Sequence, residues 1–429
     1  VGNDFSLEAM CALTGIEENK LLELMDKMLE TGLIKEREVR GEGVCSFADI
    51  LVRDVVYESV SLLKRKKLHG VVGSALEKVY AKKIDEHLGE LASHFLEGGQ
   101  KDKALDYFLK AGDRAAKIYA NSEAASYFQS ALRLLEEKEG ELQERGRVLE
   151  RFGDIKKLVG EYEDGMEYWN EALLLWTELQ EKGKTATLHR KIANVLWDKM
   201  GDAGRAKEHH EACLKILEAQ PGSVDSARLY HDMAYMQWRN GNMEKALTLA
   251  EKALVLAEKL NALEVVADAC LDLSVLFWFS GDFKKSREYA NRGLTTALDN
   301  GCLEIAVLAN HRVASAFPFE EYEKIIEYLE KGLSMARKVG DIGRQSWFLD
   351  FLAYEYTLMG ELDRAIALLE EALVLSKKAY KAFFPGVLLD IGFAYQVLGE
   401  WSKSEQYYDE AAAVSRTLTD WGNKTGVLF

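Results

Sequence analysis

Proline is scarce in this chain, which has 3 prolines among 429 residues, where average usage of about 5% would give roughly 21. Because proline interrupts helices, its scarcity predicts long continuous helices and excludes collagen-like and Pro-rich disordered chains. Cysteine is sparse as well, and no C-x-x-C pair occurs. Neither a zinc knuckle nor a redox pair is therefore expected. We interpret the cysteines as buried thiols in a reducing cytosol: Cys11, Cys45, Cys213, Cys270 and Cys302.

Positive charge is in deficit, with 55 Lys and Arg against 71 Asp and Glu, a net charge of −16. Such a surface repels nucleic acid and anionic membranes. No apolar run reaches the ~18 residues of a membrane-spanning helix, and the first residues lack the basic start of a signal peptide. We expect a cytoplasmic protein that binds neither nucleic acid nor membrane. Because the first residue is Val1 rather than Met, we also expect the chain to be part of a longer protein.

A glycine followed by a polar residue recurs at a nearly constant interval. The dipeptides are Gly201-Asp202, Gly241-Asn242, Gly281-Asp282, Gly360-Glu361 and Gly399-Glu400. They are separated by 40, 40, 79 and 39 residues, and 79 is two periods. The skipped unit lies at Glu320-Glu321, just after Pro318. A fixed period of this length indicates a repeat architecture.

Small residues recur in the same frame as these glycines. One lies seven or eight positions before each glycine: Ala193, Ala234, Ser274, Ala353 and Gly392. Two more lie five and twelve positions after it: Ala206/Cys213, Ala246/Ala253, Ser286/Gly293, Ala365/Ala372 and Ser404/Ala411. Apolar residues at i, i+3 and i+4 around them predict amphipathic helices. Small residues let two antiparallel helices approach closely, and the glycine supplies the left-handed residue that ends the first helix.

This pattern resembles the tetratricopeptide repeat, which has a small residue and an aromatic on its first helix, a glycine at the turn and two small residues on its second helix. Earlier units start near Leu91-Ala92 and Phe152-Gly153, and Ala124 marks a further second helix behind a shortened first helix. The resemblance implies an all-α superhelical solenoid of about nine helical hairpins with a period of about 40 residues.

The N-terminal segment departs from this period. Residues 6–14 and 17–30 are expected to be helices, and residues 33–36 and 44–47 to pair as a hairpin. This order predicts a small winged-helix domain. Residues 1–50 hold eleven acidic and five basic residues, so a DNA-reading role is disfavoured.

Residues 47–57 and 64–69 resemble a further motif. Phe47, Arg53-Asp54 and Tyr57, followed by Lys64-Arg65-Lys66-Lys67-Leu68-His69, are similar to F-x-H-x-L-I-R-[DE]-x-x-Y…R-R-x-x-L-H of STAND-class signalling ATPases. The family's next run, from L-A-x-H-[FY] onward, matches Leu91 to Ala115. Asp49 stands where the family has its histidine.

In that family, which includes maltose-regulator-type activators and cyclase-associated ATPases, an NTPase core precedes a winged helix and a tetratricopeptide-repeat sensor. The resemblance implies a winged helix at residues 1–57, a connecting helical segment at 58–84 and the solenoid at 85–429. No G-x-x-x-x-G-K-[ST] motif occurs in the chain, so we expect no enzymatic activity and no cofactor here. ATP or ADP is expected on an NTPase domain that precedes Val1.

Candidate ligand contacts are polar and aromatic residues that recur at one position of the first helices, because those helices line the concave face of such a solenoid. Four positions after the small residue come Trp197, Trp238, Trp278 and Phe317. One position after it come Asn194, Tyr235 and Tyr354, and three before it come Arg190, His231, Asn310 and Asp350. Packing between helices is the alternative for each aromatic. The expected groove suits a peptide, a partner protein or a small-molecule inducer.

Other chemistry is weakly indicated. Arg190 and Asn194 fall where carboxylate-clamp repeats place a Lys and an Asn, but Asp232 stands where the clamp needs a second Asn, so clamping of a C-terminal carboxylate is not expected. His209 and His210 are neighbours on a helix and point in different directions, so they cannot chelate one metal ion. No metal site is predicted.

Three functional hypotheses remain open. The first is a sensor region of a STAND-type ATPase that binds an effector or partner protein on its concave face, controls its own NTPase domain, and takes part in signal transduction and oligomerisation of the full-length protein. The second is a free-standing protein-interaction scaffold of tetratricopeptide repeats. The third is a transcription regulator that uses residues 1–50 on DNA.

Overall fold

The computed structural model describes residues 4–39, 42–138, 140–217, 222–379 and 383–416. It divides into two compact units, residues 1–148 and 149–429, which are described separately. None of the described helices is long and apolar enough to span a membrane.

Unit 1 begins with a small antiparallel sheet and two helices. The strands are β1 (Asp4–Phe5), β2 (Ile34–Val39) and β3 (Glu42–Phe47), in the order β1-β3-β2. Helices α1 (Leu7–Thr14) and α2 (Glu18–Glu30) lie between β1 and β2 in the chain. The predicted hairpin is present, with Ile34 opposite Phe47, whereas β1 was not expected. Phe5, Leu21, Met25, Ile34 and Cys45 form the buried core of this part.

The rest of unit 1 is helical. Its helices are α3 (Ile50–Ser59), α4 (Leu62–Val79), α5 (Leu88–Glu97), α6 (Lys101–Lys117), α7 (Asn121–Glu136) and the start of α8 (Leu142–Leu158), with a 3₁₀ turn at Ile84–Glu86. The shortened first helix expected before Ala124 does not exist. Only three residues separate α6 from α7, and the side chain of Phe128 on α7 packs against Gly112 in the middle of α6. Helix α6 therefore packs against both α5 and α7.

Unit 2 is a regular succession of antiparallel helices. After α8 come α9 (Tyr162–Glu178), α10 (Lys182–Asp198), α11 (Ala203–Leu217), α12 (Val224–Arg239), α13 (Met243–Lys259), α14 (Leu263–Phe279), α15 (Phe283–Asp299), α16 (Leu303–Ser315), α17 (Tyr322–Val339), α18 (Ile342–Leu358), α19 (Leu362–Ala379), α20 (Phe384–Leu398) and α21 (Trp401–Ser415). Each even-numbered helix is the first of a hairpin. The predicted all-α solenoid of tetratricopeptide type is confirmed.

The recurring glycines end the first helices as predicted. Gly201, Gly241, Gly281, Gly360 and Gly399 have φ between 69° and 86°, a conformation that side chains disfavour. The polar residue that follows also caps a helix in two hairpins, because Asp202 and Asp282 each accept a hydrogen bond from the backbone NH three residues later, at 3.1 Å. The repeat thus encodes both the stop of one helix and the start of the next.

The small residues are buried where the helices cross. Ala193, Ala206, Ala246, Ala253, Ala353, Ala365, Ala372 and Ala411 are at most 1% exposed. The interpretation of all five cysteines as buried is correct for Cys45, Cys213 and Cys270, whereas Cys11 and Cys302 are partly exposed.

Candidate functional site

Unit 2 contains a cavity of about 610 Å³. Its lining comes from α8, α9 and α10 and then from α12, α14, α16, α18 and α20. These are almost entirely first helices of hairpins, so the cavity lies on the face predicted to bind a ligand. Lys157 on α8 and Glu304 on α16, which both line it, form an ion pair at 3.7 Å. Side chains from distant repeats therefore meet across the cavity.

Six of the eleven predicted site residues line this cavity: Arg190, Asn194, Trp197, His231, Tyr235 and Trp238. The other five lie outside it: Trp278, Asn310, Phe317, Asp350 and Tyr354. The cavity thus brings together the candidates on α10 and α12 and leaves out those on α14, α16 and α18.

Polar pairs join α8 to α10 and α10 to α12 around this cavity. Lys191 on α10 lies 2.9 Å from Glu150 and 2.8 Å from Asp154 on α8. Arg190 on α10 lies 3.1 Å from Asp232 on α12. The sequence separations within these pairs are close to one repeat, so the period that stacks the helices also aligns their charges.

The residues that resemble a carboxylate clamp are already occupied by a side chain of the protein. Asp232 is 4% exposed and accepts hydrogen bonds from Arg190 Nη1 at 3.1 Å and from Asn194 Nδ2 at 2.8 Å. A protein carboxylate thus takes the place that the C-terminus of a ligand would occupy in a clamp. This contact gives a physical reason why no clamp is expected here.

His231 is held as a cation between carboxylates. Its Nδ1 donates to Asp272 Oδ2 at 2.5 Å, and Asp268 and Asp232 are nearby. Burial opposes the charge, but the three carboxylates outweigh it and raise the pKa of His231 to about 10. Burial, together with the charges of Asp272 and Asp232, raises the pKa of Asp268 to about 6, although His231 opposes this shift. The wall formed by α12 and α14, here called the acidic wall, carries the carboxyl groups of Asp232, Asp268 and Asp272.

A second charged group lies where α10, α12, α16 and α18 line the cavity, and the search for recurring positions missed it. It comprises Lys199, Arg239 and Arg344 near Asp198, and Arg312 near Arg239 and Arg344. Lys199 Nζ lies 2.9 Å from Asp198, and Tyr235 donates to the same carboxylate at 3.1 Å. Although burial opposes it, the charges of Lys199, Arg344 and Arg239 lower the pKa of Asp198 far below its usual range. These cations occupy different positions in their repeats, so periodicity alone could not find them.

The four predicted aromatics do not stack into one ladder. Trp238 contacts Tyr235 and Phe279, with ring centroids 5.5 and 5.6 Å apart. Trp278 packs on Phe279 and Phe283 outside the cavity. Trp197 is 6% exposed and lines the cavity. Trp347 also lines it, although the repeat pattern did not predict this residue.

The remaining candidates make contacts elsewhere. Asn310 donates to the carbonyl of Ala306 at 2.8 Å. Asp350 is 3% exposed, and the nearby carboxyl group of Asp390, together with burial, raises its pKa. The other two contact rings of neighbouring helices: Phe317 stacks on Tyr328, and Tyr354 lies against Phe393 but stays exposed. Among the described residues, no three His, Cys, Asp or Glu side chains are placed to hold a metal ion.

Family models identify part of this architecture directly. One model of the tetratricopeptide repeat matches residues 225–299 and another matches residues 348–386. No protein with a curated description matches the chain significantly.

Several solved structures resemble the fold at low sequence identity. A signal transduction ATPase with numerous domains from Pyrococcus horikoshii, which has a tetratricopeptide repeat sensor, is 15% identical with a TM-score of 0.48, and the match covers 99% of this chain and 63% of that chain. A Rap protein complexed with competence and sporulation factor is 16% identical with a TM-score of 0.42, and the match covers 96% and 99%. Aspartyl phosphate phosphatase F from Bacillus subtilis is 11% identical with a TM-score of 0.46, and the match covers 74% and 95%.

This chain therefore spans less than two thirds of the length of the archaeal ATPase that it resembles in fold. The family matches and the succession of helical hairpins around them lead to one conclusion: residues 225–299 and 348–386 are tetratricopeptide repeats, set within an all-α solenoid.

Proposed function

We propose that this chain is the sensor region of a STAND-type ATPase, and that an effector bound in the cavity of unit 2 controls an NTPase domain that precedes Val1. The chain itself contributes no catalytic residue in this proposal. Its role is to bind an effector or a partner protein and to change the population of active ATPase, as a ligand does when it favours one of two conformations.

The observation that carries the proposal is the cavity on the concave face. Tetratricopeptide-repeat solenoids use this face for binding, and about 610 Å³ is within the usual range of roughly 300–1,000 Å³ for ligand pockets. Aromatic and charged side chains converge on it from helices more than 150 residues apart in the chain. A ligand that contacts several of these helices would favour one curvature of the solenoid over others.

Contacts among the residues of the family motifs also support the proposal. Tyr57 OH lies 3.0 Å from His69 Nε2, and His69 Nδ1 lies 3.0 Å from His94 Nδ1. Tyr57, His69 and His94 all come from the stretches that resemble STAND-class ATPases. Asp49, which replaces the family's histidine, accepts a hydrogen bond from the backbone NH of Leu51 at 2.8 Å and caps α3. In the proposed protein, residues 1–57 form the winged helix.

An apolar surface on α3 and α4 suits contact with the NTPase domain. Leu51, Val55, Leu62 and Leu63 are 70–85% exposed, which is unusual for large apolar side chains grouped on adjacent helices. In the proposed protein this surface transmits the state of the sensor to the NTPase domain.

The test uses the full-length protein that contains this chain. ATP hydrolysis is measured with and without a low-molecular-mass extract of the cells that produce it. We expect Trp238→Ala to reduce the extract-dependent stimulation about tenfold or more, because loss of a buried aromatic contact commonly costs about 2 kcal/mol of binding. Trp278→Ala is the matched control, since it removes an indole at the same repeat position outside the cavity.

Two results would contradict the proposal. One is a full-length protein that neither binds nor hydrolyses ATP, which would favour a free-standing scaffold. The other is equal stimulation of the wild type and the Trp238→Ala variant, with circular dichroism showing both to be folded.

A further inference from the structure

We infer that the three arginines Arg239, Arg312 and Arg344, here called the arginine cluster, form an oxyanion site that binds a carboxylate or phosphate group of the ligand. This inference rests on the proposed use of the cavity for binding and adds the chemistry of what is bound. The shared feature of the two groups is a planar or tetrahedral set of oxygens that guanidinium groups bind through paired hydrogen bonds.

Arg312 is the central observation. It lines the cavity from α16, and its Nε is buried without an acceptor among the described residues. No hydrogen bond or ion pair joins Arg312 to any described side chain. A buried donor without an acceptor costs free energy, so a guanidinium in this state is explained most simply by an acceptor that arrives with a ligand.

Indole rings lie beside two of these guanidinium groups. Arg312 Cζ lies 5.8 Å from the ring centroid of Trp238, and Arg344 Cζ lies 4.9 Å from that of Trp347. A guanidinium over an indole ring is stabilised by a cation–π contact, which does not use its N–H groups as hydrogen-bond donors. Both indoles line the cavity, so they would also cover the apolar part of a ligand.

The carboxylates near the arginine cluster also contact other groups. Asp198 is paired with Lys199 at 2.9 Å, and Asp341 accepts a hydrogen bond from the backbone NH of Arg344 as the cap of α18. Asp272 is occupied by His231 at 2.5 Å. Burial first, and then the positive charges of Arg344 and Arg239, lower the pKa of Arg312 to about 10, although Tyr235 and Asp272 raise it. Arg312 therefore stays charged at neutral pH, beside the positive charges of Arg344 and Arg239.

The acidic wall limits the kind of anion that fits. Asp232, Asp268 and Asp272 lie on α12 and α14 beside the cluster and line the same cavity. A chain of regularly spaced phosphates would place negative charge against this wall as well as against the arginines. The arrangement therefore favours a small ligand, or one end of a larger one, with its negative charge at a single position.

The experiment titrates this 429-residue chain with inorganic phosphate and, separately, with glutarate at constant ionic strength, and measures heat by isothermal titration calorimetry. We expect saturable binding of at least one of the two. Binding of phosphate alone indicates a phosphoryl group, and binding of glutarate alone indicates a carboxylate. Arg312→Gln should lower the affinity for the probe that binds about tenfold or more, since it removes charge-assisted hydrogen bonds.

Matched variants separate binding from folding. Arg228→Gln on α12 is the control, because Arg228 pairs with Glu264 at 2.9 Å outside the cavity. This variant should bind the probe with the affinity of the wild type. Arg312→Gln should unfold at the same temperature as the wild type or higher, because it removes a charge without a partner. Arg312→Lys keeps the charge without the planar guanidinium and should bind with intermediate affinity.

Absence of saturable binding of both probes to the wild type would overturn the inference. So would equal affinity of the wild type and Arg312→Gln for the probe that binds. Neither result would decide whether the chain controls an NTPase domain, because the ATP hydrolysis measurements on Trp238→Ala test that proposal. The two proposals can therefore fail separately.

Discussion

His231 Nδ1 lies 2.5 Å from Asp272 Oδ2, across two first helices that are one repeat apart in the chain. Asp272 has a side-chain exposure of 10% and His231 of 21%, so the contact is shielded from water. The pair binds α12 to α14 at the wall of the cavity. Its strength depends on the proton that His231 carries, which makes the stability of this wall dependent on pH.

We expect Asp272→Asn to lower the free energy of unfolding by about 1.5–3 kcal/mol at pH 6, because a hydrogen bond to a charged group is lost. The pKa of His231 is raised to about 10 from its ordinary value of 6.5, and burial also raises the pKa of Asp272. While Asp272 is ionised, the stability that the proton on His231 contributes is complete below about pH 6.5 and is lost as the pH rises towards 10. Urea unfolding at several pH values should therefore show the two proteins converging in alkaline solution.

Asp225→Asn is the control for this comparison. Asp225 pairs with Arg228 at 3.5 Å on the same helix, and its side chain is 30% exposed, so its replacement should change stability by less than about 1 kcal/mol at any pH. A constant difference between wild type and Asp272→Asn from pH 6 to pH 10 would show that His231 is not charged in the folded state.

Close packing at the small positions of the repeat gives a second prediction. A Cβ added to Gly392 on α20 would come within 2.6 Å of Tyr408 Cε1 on α21, so Gly392→Ala should destabilise the protein by about 1–3 kcal/mol through overpacking. A Cβ at Gly183 on α10 would meet nothing closer than Asp225 Oδ2 at 3.7 Å, so Gly183→Ala should be neutral or should stabilise by up to about 1 kcal/mol.

Thermal unfolding of the two variants beside the wild type checks this contrast. Both changes add one methyl group to a helical glycine, and only the space around it differs. Equal unfolding temperatures for the two variants would show that the ring of Tyr408 can move away at little cost.

The fold could be predicted because its determinants are local and recur. A glycine such as Gly281 must adopt a positive φ of 81° wherever a first helix ends, and an alanine such as Ala253 must be small wherever two helices cross. These demands repeat every 40 residues or so, and they reveal the hairpins without knowledge of any contact. The exception is α7, whose missing short helix depends on how α6 packs with both of its neighbours.

The site could be predicted only in part, because a cavity depends on how repeats come together in space. The repeat frame found Arg190 and His231, but it could not show that Asp232 and Asp272 already occupy them. It missed Arg312, because no other repeat has an arginine at the corresponding position. Ligand contacts in a solenoid are individual features on a periodic scaffold, so periodicity indicates the face that binds and not the residues that do so.

Cysteine reactivity gives a third prediction. Burial raises the pKa of the Cys213 thiol to about 12 and that of the Cys270 thiol to about 11, and Cys45 is 4% exposed. Cys11 and Cys302 are partly exposed. Because the thiolate is the reactive form, iodoacetamide should label only Cys11 and Cys302 in the native protein, as read by peptide mass spectrometry. The same reaction in urea should label all five, and rapid native labelling of Cys213 would show that α11 opens readily.

The carboxyl pair of Asp350 and Asp390 gives the last prediction. Asp350 on α18 and Asp390 on α20 are buried carboxyl groups that interact with each other. Burial raises the pKa of Asp390 to about 6, and burial together with Asp390 raises that of Asp350. A carboxyl group whose pKa is raised on folding contributes stability at acidic pH that is lost as the pH rises from about 4 to about 6, because the folded state holds the proton more tightly. At neutral pH the pair therefore destabilises the contact between these helices.

We expect Asp390→Asn to remove this loss of stability at neutral pH. The variant should be similar to the wild type at pH 4 and more stable by about 1–3 kcal/mol at pH 8, since an amide cannot ionise and can donate to Asp350. Asp363→Asn on the exposed surface of α19 serves as the control and should follow the wild-type profile. If urea unfolding shows the same pH dependence for the wild type and Asp390→Asn, then the pair does not hold its proton at these pH values. In that case ionisation of the pair would not destabilise the contact at neutral pH. Protonation would then have no effect on the packing of α18 against α20.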